Sequence, residues 1–385
     1  MVLHLRVRTA QAEPGHVVVG VVGHQLLELL DPLVKVQGNA PSTPVGEPAR
    51  GPAIGKDDHR RPPALTPIDP ILTTDLPLLE GRPPVMLAAG TAGVLDEMAQ
   101  VTDLARLGAI VTKSITADPR DGNRPWRVAP LDVGMLNAVG LANPGVDGFL
   151  EQHAARIPTL PCPVVVSVAG FRGVESYTSV TQKLAAFEVN GAPGIQAIEL
   201  NVSCPNVDGG ASASVDPDVL AELIRAVRPG FEGRAIYVKL SPIVTGKITM
   251  TEIAKAAIEA GADALTISNT VPGMAIDPET REPVLGRVAG GLSGPAVHPI
   301  ALKLVHDVYR AVAKEAGVPI IGAGGVTSWR EAASFVLAGA SAVQIGTASF
   351  ANPGSGPKVA SGLAKWARRQ RAGTLIDLIG SVSAS

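Results

Sequence analysis

From about residue 72 onward, short apolar runs alternate with longer stretches whose apolar positions recur at helical spacing. The runs are Pro84 to Ala89, Ala109 to Lys113, Pro163 to Val168, Ala197 to Val202, Ala235 to Leu240, Ala264 to Ser268, Val318 to Ala323 and Ser341 to Gly346. Between them the spacing predicts helices over Leu95 to Leu107, Val180 to Val189, Pro217 to Val227, Thr251 to Ala260, Ala301 to Ala316 and Ser328 to Leu337. Three joints read Leu107-Gly108-Ala109, Ala260-Gly261-Ala262 and Ala338-Gly339-Ala340, in which a glycine stops a helix and feeds the next strand. Eight strand-then-helix units match an α/β fold, a parallel (β/α)8 TIM barrel. Strand order is not written in the pattern, so a doubly wound sheet is the alternative. Long intervals after Lys113 and after Ser268 leave room for inserted loops over the C-terminal face of the barrel.

The first 71 residues read differently. Residues 41 to 70 hold eight prolines mixed with Gly, Ser, Arg and Asp, a composition that lacks the donors and the periodicity for regular structure. Residues 17 to 30 are apolar but interrupted by His24, Gln25 and Glu28, short of the roughly 18 to 20 apolar residues that span a bilayer. Residues 1–71 are therefore expected to be a disordered or spurious extension with a Pro-rich linker. Residues 72–370 are expected to form the barrel, and 371–385 a C-terminal tail.

Composition narrows the chemistry. A net charge of -2 in 385 residues gives no reason to expect nucleic acid or an anionic membrane surface as partner. Cys162 and Cys204 are the only cysteines, too few for an iron–sulfur cluster or a Cys-rich zinc site, and they point to a reducing, cytoplasmic setting. No HxxxH or HExxH spacing suggests a metal site.

In such a barrel the active site forms where strands end at their C-terminal side. The closing residues here are Lys113, Asn201, Lys239, Asn269 with Thr270, Gly324-Gly325 and Gly346-Thr347. Two cations, two carboxamides and two glycine turns on one rim would suit an anionic, hydrogen-bonding ligand. The last two turns present backbone N–H groups where barrels commonly hold a phosphate. By period-2 alternation Glu199 shares a side with Asn201 and faces the interior, so it needs a partner, which Lys239 one strand away is near enough to be. Cys162, between two prolines, reads as a small buried hydrophobe. Cys204 lies just beyond its strand in a Pro-fixed loop, where a thiol of pKa near about 8.5 could give or take a proton.

The strings PPVMLAAGTAG, LGAIVTKSIT, DPRDGNRPWRV, GMLNAVGLANPGVD, IELNVSCPNVDGG, YVKLSP, SNTVPGMAID, GGLSGPAVHPIAL, PIIGAGGV and GASAVQIGTA, in this order, resemble those of dihydroorotate dehydrogenases. They look most like the NAD-linked class 1B catalytic subunit, over about residues 72 to 365. The resemblance implies an FMN-dependent barrel oxidising dihydroorotate to orotate in pyrimidine biosynthesis, with a homodimer and a separate FAD and iron–sulfur subunit as expected partners. It implies Cys204 as the base at C5 of the substrate and Lys113 in contact with both flavin and substrate. The substrate would lie against Asn137, Ala138, Val139, Gly140, Leu141, Asn201, Asn269 and Thr270. The flavin would take Ala89, Lys113, Ser114, Ser167, Asn201, Lys239, Ser268 and Gly294, with its phosphate on Gly324, Gly325, Gly346 and Thr347.

Three positions depart from that family pattern. Leu87 and Ala89 stand where Thr and Ser are usual, and Ser167 stands where Asn is usual. The loop Thr91 to Leu95 also lacks an expected aromatic. These departures keep two alternatives open: a flavin barrel acting on a neutral dihydropyrimidine, and a catalytically idle barrel serving as a scaffold.

Overall fold

The computed structural model describes residues 69–202 apart from Arg172, 216–243 and 248–383. Residues 1–68 and Cys204 lie outside the described residues. Eight parallel strands close into a barrel: Val85–Leu87, Ala109–Val111, Val164–Val168, Ala197–Asn201, Ala235–Lys239, Ala264–Ile267, Ile320–Ala323 and Ala342–Ile345. Every strand pairs with its neighbours in chain order, and the eighth pairs with the first. All eight coincide with the apolar runs of the sequence, and the doubly wound alternative is excluded by closure.

Both faces of each strand are covered, which is why the runs are nearly continuous in apolar residues. Alternation still decides what goes where. Ile198, Leu200, Ile236 and Val238 point outward into the layer under the helices. Met86, Val165, Ala197, Tyr237 and Ile321 point inward and fill the barrel with Leu76 and Leu79. Tyr237 donates its hydroxyl hydrogen bond to the carbonyl of Pro77, so the segment before the first strand plugs the N-terminal end. Above this apolar plug the inward positions turn polar: Ser167, Glu199, Asn201, Lys239, Thr266 and Gln344 are all buried.

The helices are fixed by local chemistry. Asp216 caps Pro217–Val227, while Thr249 with Glu252 and Ser328 with Glu331 form reciprocal capping boxes at Met250–Glu259 and Trp329–Ala338. Two expectations need correction. No α-helix spans Leu95 to Leu107; two short 3-10 turns, Glu97–Gln100 and Leu104–Arg106, occupy it. The Glu97 carboxylate accepts from the N–H groups of Val94 and Leu95, and Asp103 accepts from that of Ala105, so side chains take donors that a helix would use. The helix expected from Val180 to Val189 runs Glu175–Ala186. After it comes a small hairpin that turns at Asn190-Gly191, both with positive φ.

The two long intervals do supply insertions. Val128–Leu131 and Gly134–Asn137 from one, with Val271–Gly273 and Gly290–Ser293 from the other, form a four-stranded antiparallel sheet. After the last barrel helix, Ser355–Arg369, the chain continues with Leu375 fully buried, and Gly380 and Val382 donate to the carbonyls of Val336 and Leu337. Among the described residues no helix is long and apolar enough to cross a membrane.

Asp263 ties the base of the sixth strand to its neighbours, accepting from the Ile236 N–H at 2.7 Å and from Arg228 at 2.6 Å. Asp263→Ala is expected to cost about 2 kcal/mol in chemical denaturation by stranding a buried N–H; an unchanged midpoint would contradict this account.

Candidate active site

A cavity of about 200 Å³ opens at the C-terminal ends of the barrel strands, beneath the inserted sheet. Of the residues singled out from sequence, it is lined by Ala89, Lys113, Ser114, Asn137, Val139, Gly140, Leu141, Asn201, Lys239, Ser268, Asn269, Thr270, Gly294, Gly324, Gly325, Gly346 and Thr347. Ala138 and Ser167 do not reach it. Ala138 is buried beside Leu136 and Leu285 under the inserted sheet. Ser167 lies one layer deeper in the barrel, its hydroxyl 2.8 Å from that of Ser114.

That contact begins a chain of side chains ending at the cavity. Asn201 donates to the Ser114 hydroxyl at 3.1 Å, Asn269 donates to the Asn201 carbonyl oxygen at 3.1 Å, and the Thr270 N–H donates to Asn269 at 2.8 Å. Each amide is thereby oriented. On the opposite wall, Asn137 donates to the carbonyl of Gly291, and Thr347 donates to Ser293.

The floor is a buried polar cluster. Glu199 is 0% exposed and accepts from Thr266 at 2.9 Å and from Gln344 at 2.7 Å, both on one carboxylate oxygen. Among the described residues its other oxygen has only the Lys239 ammonium, 3.7 Å away. Lys239 also donates to the Gln344 carbonyl oxygen at 3.4 Å. The sequence-derived pairing of Glu199 with Lys239 is therefore present. Gln344 is absent from the sequence-derived set, although a lone carboxamide at an inward position of an apolar strand is a signal the alternation could have yielded. Ser293 and Phe350, which also line the cavity, come from segments without such a signal.

Lys113 differs from Lys239. Among the described residues its ammonium has neither an ion-pair partner nor an acceptor. Burial pushes its pKa below the usual lysine value, the Arg127 guanidinium pushes it further down, and Glu97 partly opposes them. A half-buried, unmatched cation at a cavity wall favours an anionic ligand. By contrast, burial pushes the Cys162 thiol up to about 12, as befits an inert core residue.

At the far end, Gly324 and Gly325 hold φ of +142° and +68°, conformations that favour glycine. The N–H groups of Gly324, Gly325, Gly346 and Thr347 donate to no acceptor among the described residues. Unused backbone donors in two glycine-containing turns suit a phosphate group. Cation, oriented amides and N–H groups without an acceptor among the described residues together suit an anionic, hydrogen-bonding ligand.

The comparisons agree with this geometry. A family model described as dihydroorotate dehydrogenase matches residues 71–366. The chain belongs to the dihydroorotate dehydrogenase family. It is an oxidoreductase of a flavin-dependent family. A dihydroorotate dehydrogenase B (NAD(+)) catalytic subunit of Trichlorobacter lovleyi is 41% identical over 314 residues, covering 81% of this chain and 99% of that protein. One from Bacteroides thetaiotaomicron is 42% identical over 312 residues, with coverage of 81% and 98%. One from Desulforudis audaxviator is 44% identical over 299 residues, with coverage of 77% and 93%. A crystal structure of DHODH from Eimeria tenella in complex with ferulenol aligns with a TM-score of 0.67 at 22% identity, covering 82% of this chain and 89% of that one. At that identity the likeness concerns the fold alone.

The lowered pKa of Lys113 has a consequence for stability. Below its folded pKa the native chain holds a charge in a poorer environment than water, so the residue opposes folding. This cost is relieved as pH rises through the lowered value toward 10.5. Lys113→Met in this dehydrogenase is expected to raise the thermal midpoint at neutral pH, with a gain that shrinks toward alkaline pH. A lower midpoint at neutral pH would refute the assignment.

Proposed function

We propose that the protein oxidises (S)-dihydroorotate to orotate in de novo pyrimidine biosynthesis with FMN as its flavin. The observation that carries this reading is the Lys113 ammonium, without a partner among the described residues, facing the same cavity as the oriented carboxamides of Asn201 and Asn269. A planar ring bearing carbonyls, N–H groups and a carboxylate uses all of these. A neutral dihydropyrimidine would leave Lys113 unanswered. FMN, when bound, supplies the two-electron acceptor for the hydride that leaves C6 of the substrate.

The protein's own groups do the rest. Asn137, Val139, Gly140, Leu141, Asn269 and Thr270 would bind the ring and fix its plane, and Lys113 would hold the carboxylate. Cys204 would take the proton from C5, so that loss of a proton and a hydride leaves the C5–C6 double bond. Lys239, held by Glu199 and Gln344, would keep a fixed positive charge under the flavin, and Ser114, Ser268 and Gly294 would line its ring. Gly324, Gly325, Gly346 and Thr347 would bind its phosphate. The three relatives are each named as the catalytic subunit of an NAD(+)-linked enzyme, and this supports a separate electron-transfer subunit; we infer that it carries FAD and an iron–sulfur cluster and relays electrons to NAD, beside a homodimer of this chain. Ser167 favours no other activity here, since it engages Ser114 and the Asn201 amide remains hydrogen-bonded to Ser114.

The purified chain with FMN bound is expected to turn over dihydroorotate at least about a hundredfold more efficiently than dihydrouracil, which has no carboxylate to pair with Lys113. Equal efficiencies would favour a neutral substrate, and a chain that takes up no FMN would favour the scaffold reading. Cys204→Ala is expected to keep FMN but lose about two to four orders of magnitude in turnover at neutral pH; unchanged turnover would remove Cys204 from the reaction.

A further inference from the structure

His298 opens the helix His298–Val308 and lies behind the Gly324-Gly325 turn, outside the cavity lining. Its Nδ1 is 3.0 Å from the carbonyl oxygen of Gly324. A carbonyl can only accept, so Nδ1 carries the proton and donates. The ring is held from its other side, with Nε2 3.0 Å from the hydroxyl of Ser334 and its plane edge-on to Phe335 at 4.9 Å. Closeness to the turn is tight: a Cβ on Gly325 would lie 2.7 Å from the Cβ of His298.

A trans peptide directs its C=O and N–H to opposite sides. The Gly324–Gly325 peptide is not among the cis bonds, so a carbonyl fastened to His298 sends the Gly325 N–H the other way, toward the cavity that Gly325 lines. Two glycines in succession cannot enforce that orientation themselves, because neither has a side chain to bias its backbone. We propose that His298 is a positioning residue for a bound phosphate: by clamping the Gly324 carbonyl behind the turn, it aims the Gly325 N–H at the ligand. This rests on the reading of the two glycine turns as the FMN phosphate seat.

The test is titration of the flavin-free full-length chain with FMN and with riboflavin, which shares the ring but lacks the phosphate. His298→Leu removes the clamp and is expected to raise the Kd for FMN about tenfold, one hydrogen bond to a charged group, while changing that for riboflavin less than about twofold. His298→Asn places an amide nitrogen near the Nδ1 position and is expected to restore FMN affinity to near the native value. Ser334→Ala, which frees the ring from behind, is expected to weaken FMN about two- to threefold with no change for riboflavin, and it decides the matter if the Leu variant does not fold. Unchanged FMN affinity in His298→Leu overturns the proposal. So does equal weakening of both ligands, which would mark His298 as a support of the fold only. Native protein that binds FMN no more tightly than riboflavin would instead remove the phosphate seat itself, and the proposal with it.

Discussion

A carboxylate sealed inside the barrel has to be answered by other side chains, and that requirement organises the site. Glu199 faces inward at a level where no water reaches it, and burying such a charge unpaired would cost several kcal/mol or more. Thr266, Gln344 and Lys239 come from three other strands to meet it. Their convergence fixes the height at which the apolar filling of the barrel gives way to polar chemistry. It also holds the Lys239 ammonium under the cavity, so the same contacts that neutralise the interior prepare the cavity floor.

Lys113 and Lys239 show two uses of one residue type. Lys239 is matched within the protein, so its charge is part of the scaffold. Lys113 is unmatched among the described residues and held below its ordinary pKa by burial and by Arg127, so the folded chain carries an electrostatic cost that a bound carboxylate would relieve. On the proposed reading, a site strained by its own cation would discriminate between acidic and neutral rings of the same shape. The amides alone could not do so.

The two ends of the cavity rely on different means of control. At the ring end, side chains orient side chains, from Ser167 through Ser114 and Asn201 to Asn269. At the glycine end Gly324 and Gly325 have no side chains to orient, and donor direction there passes to contacts made behind the backbone. The packing of His298 between Gly324, Ser334 and Phe335 belongs to this second kind.

The sequence by itself determined the eight strands, the insertion points and the inward direction of Glu199, because strand alternation and helix-stopping glycines are local features. The choice of a closed barrel over a doubly wound sheet was decided by the pairing of the eighth strand with the first. Strand ends also named Lys113, Asn201, Lys239, Asn269, Thr270 and the two glycine turns of the cavity lining, since strand-terminal residues gather on one rim once a barrel closes. Ala89, Ser114, Asn137, Val139, Gly140, Leu141, Ser268 and Gly294 were legible only through the resemblance to dihydroorotate dehydrogenases. Competing local hydrogen bonds hid the true form of Leu95 to Leu107, where Glu97 and Asp103 capture backbone donors. Only the tertiary structure decided that Ser167 and Ala138 stop short of the cavity, that Gln344 completes the Glu199 cluster and that Lys113 meets no partner among the described residues. Those outcomes depend on how far each strand is staggered against its neighbours and on what packs one layer behind it. Such distances are set by closure of the whole barrel, and no stretch of chain carries them alone.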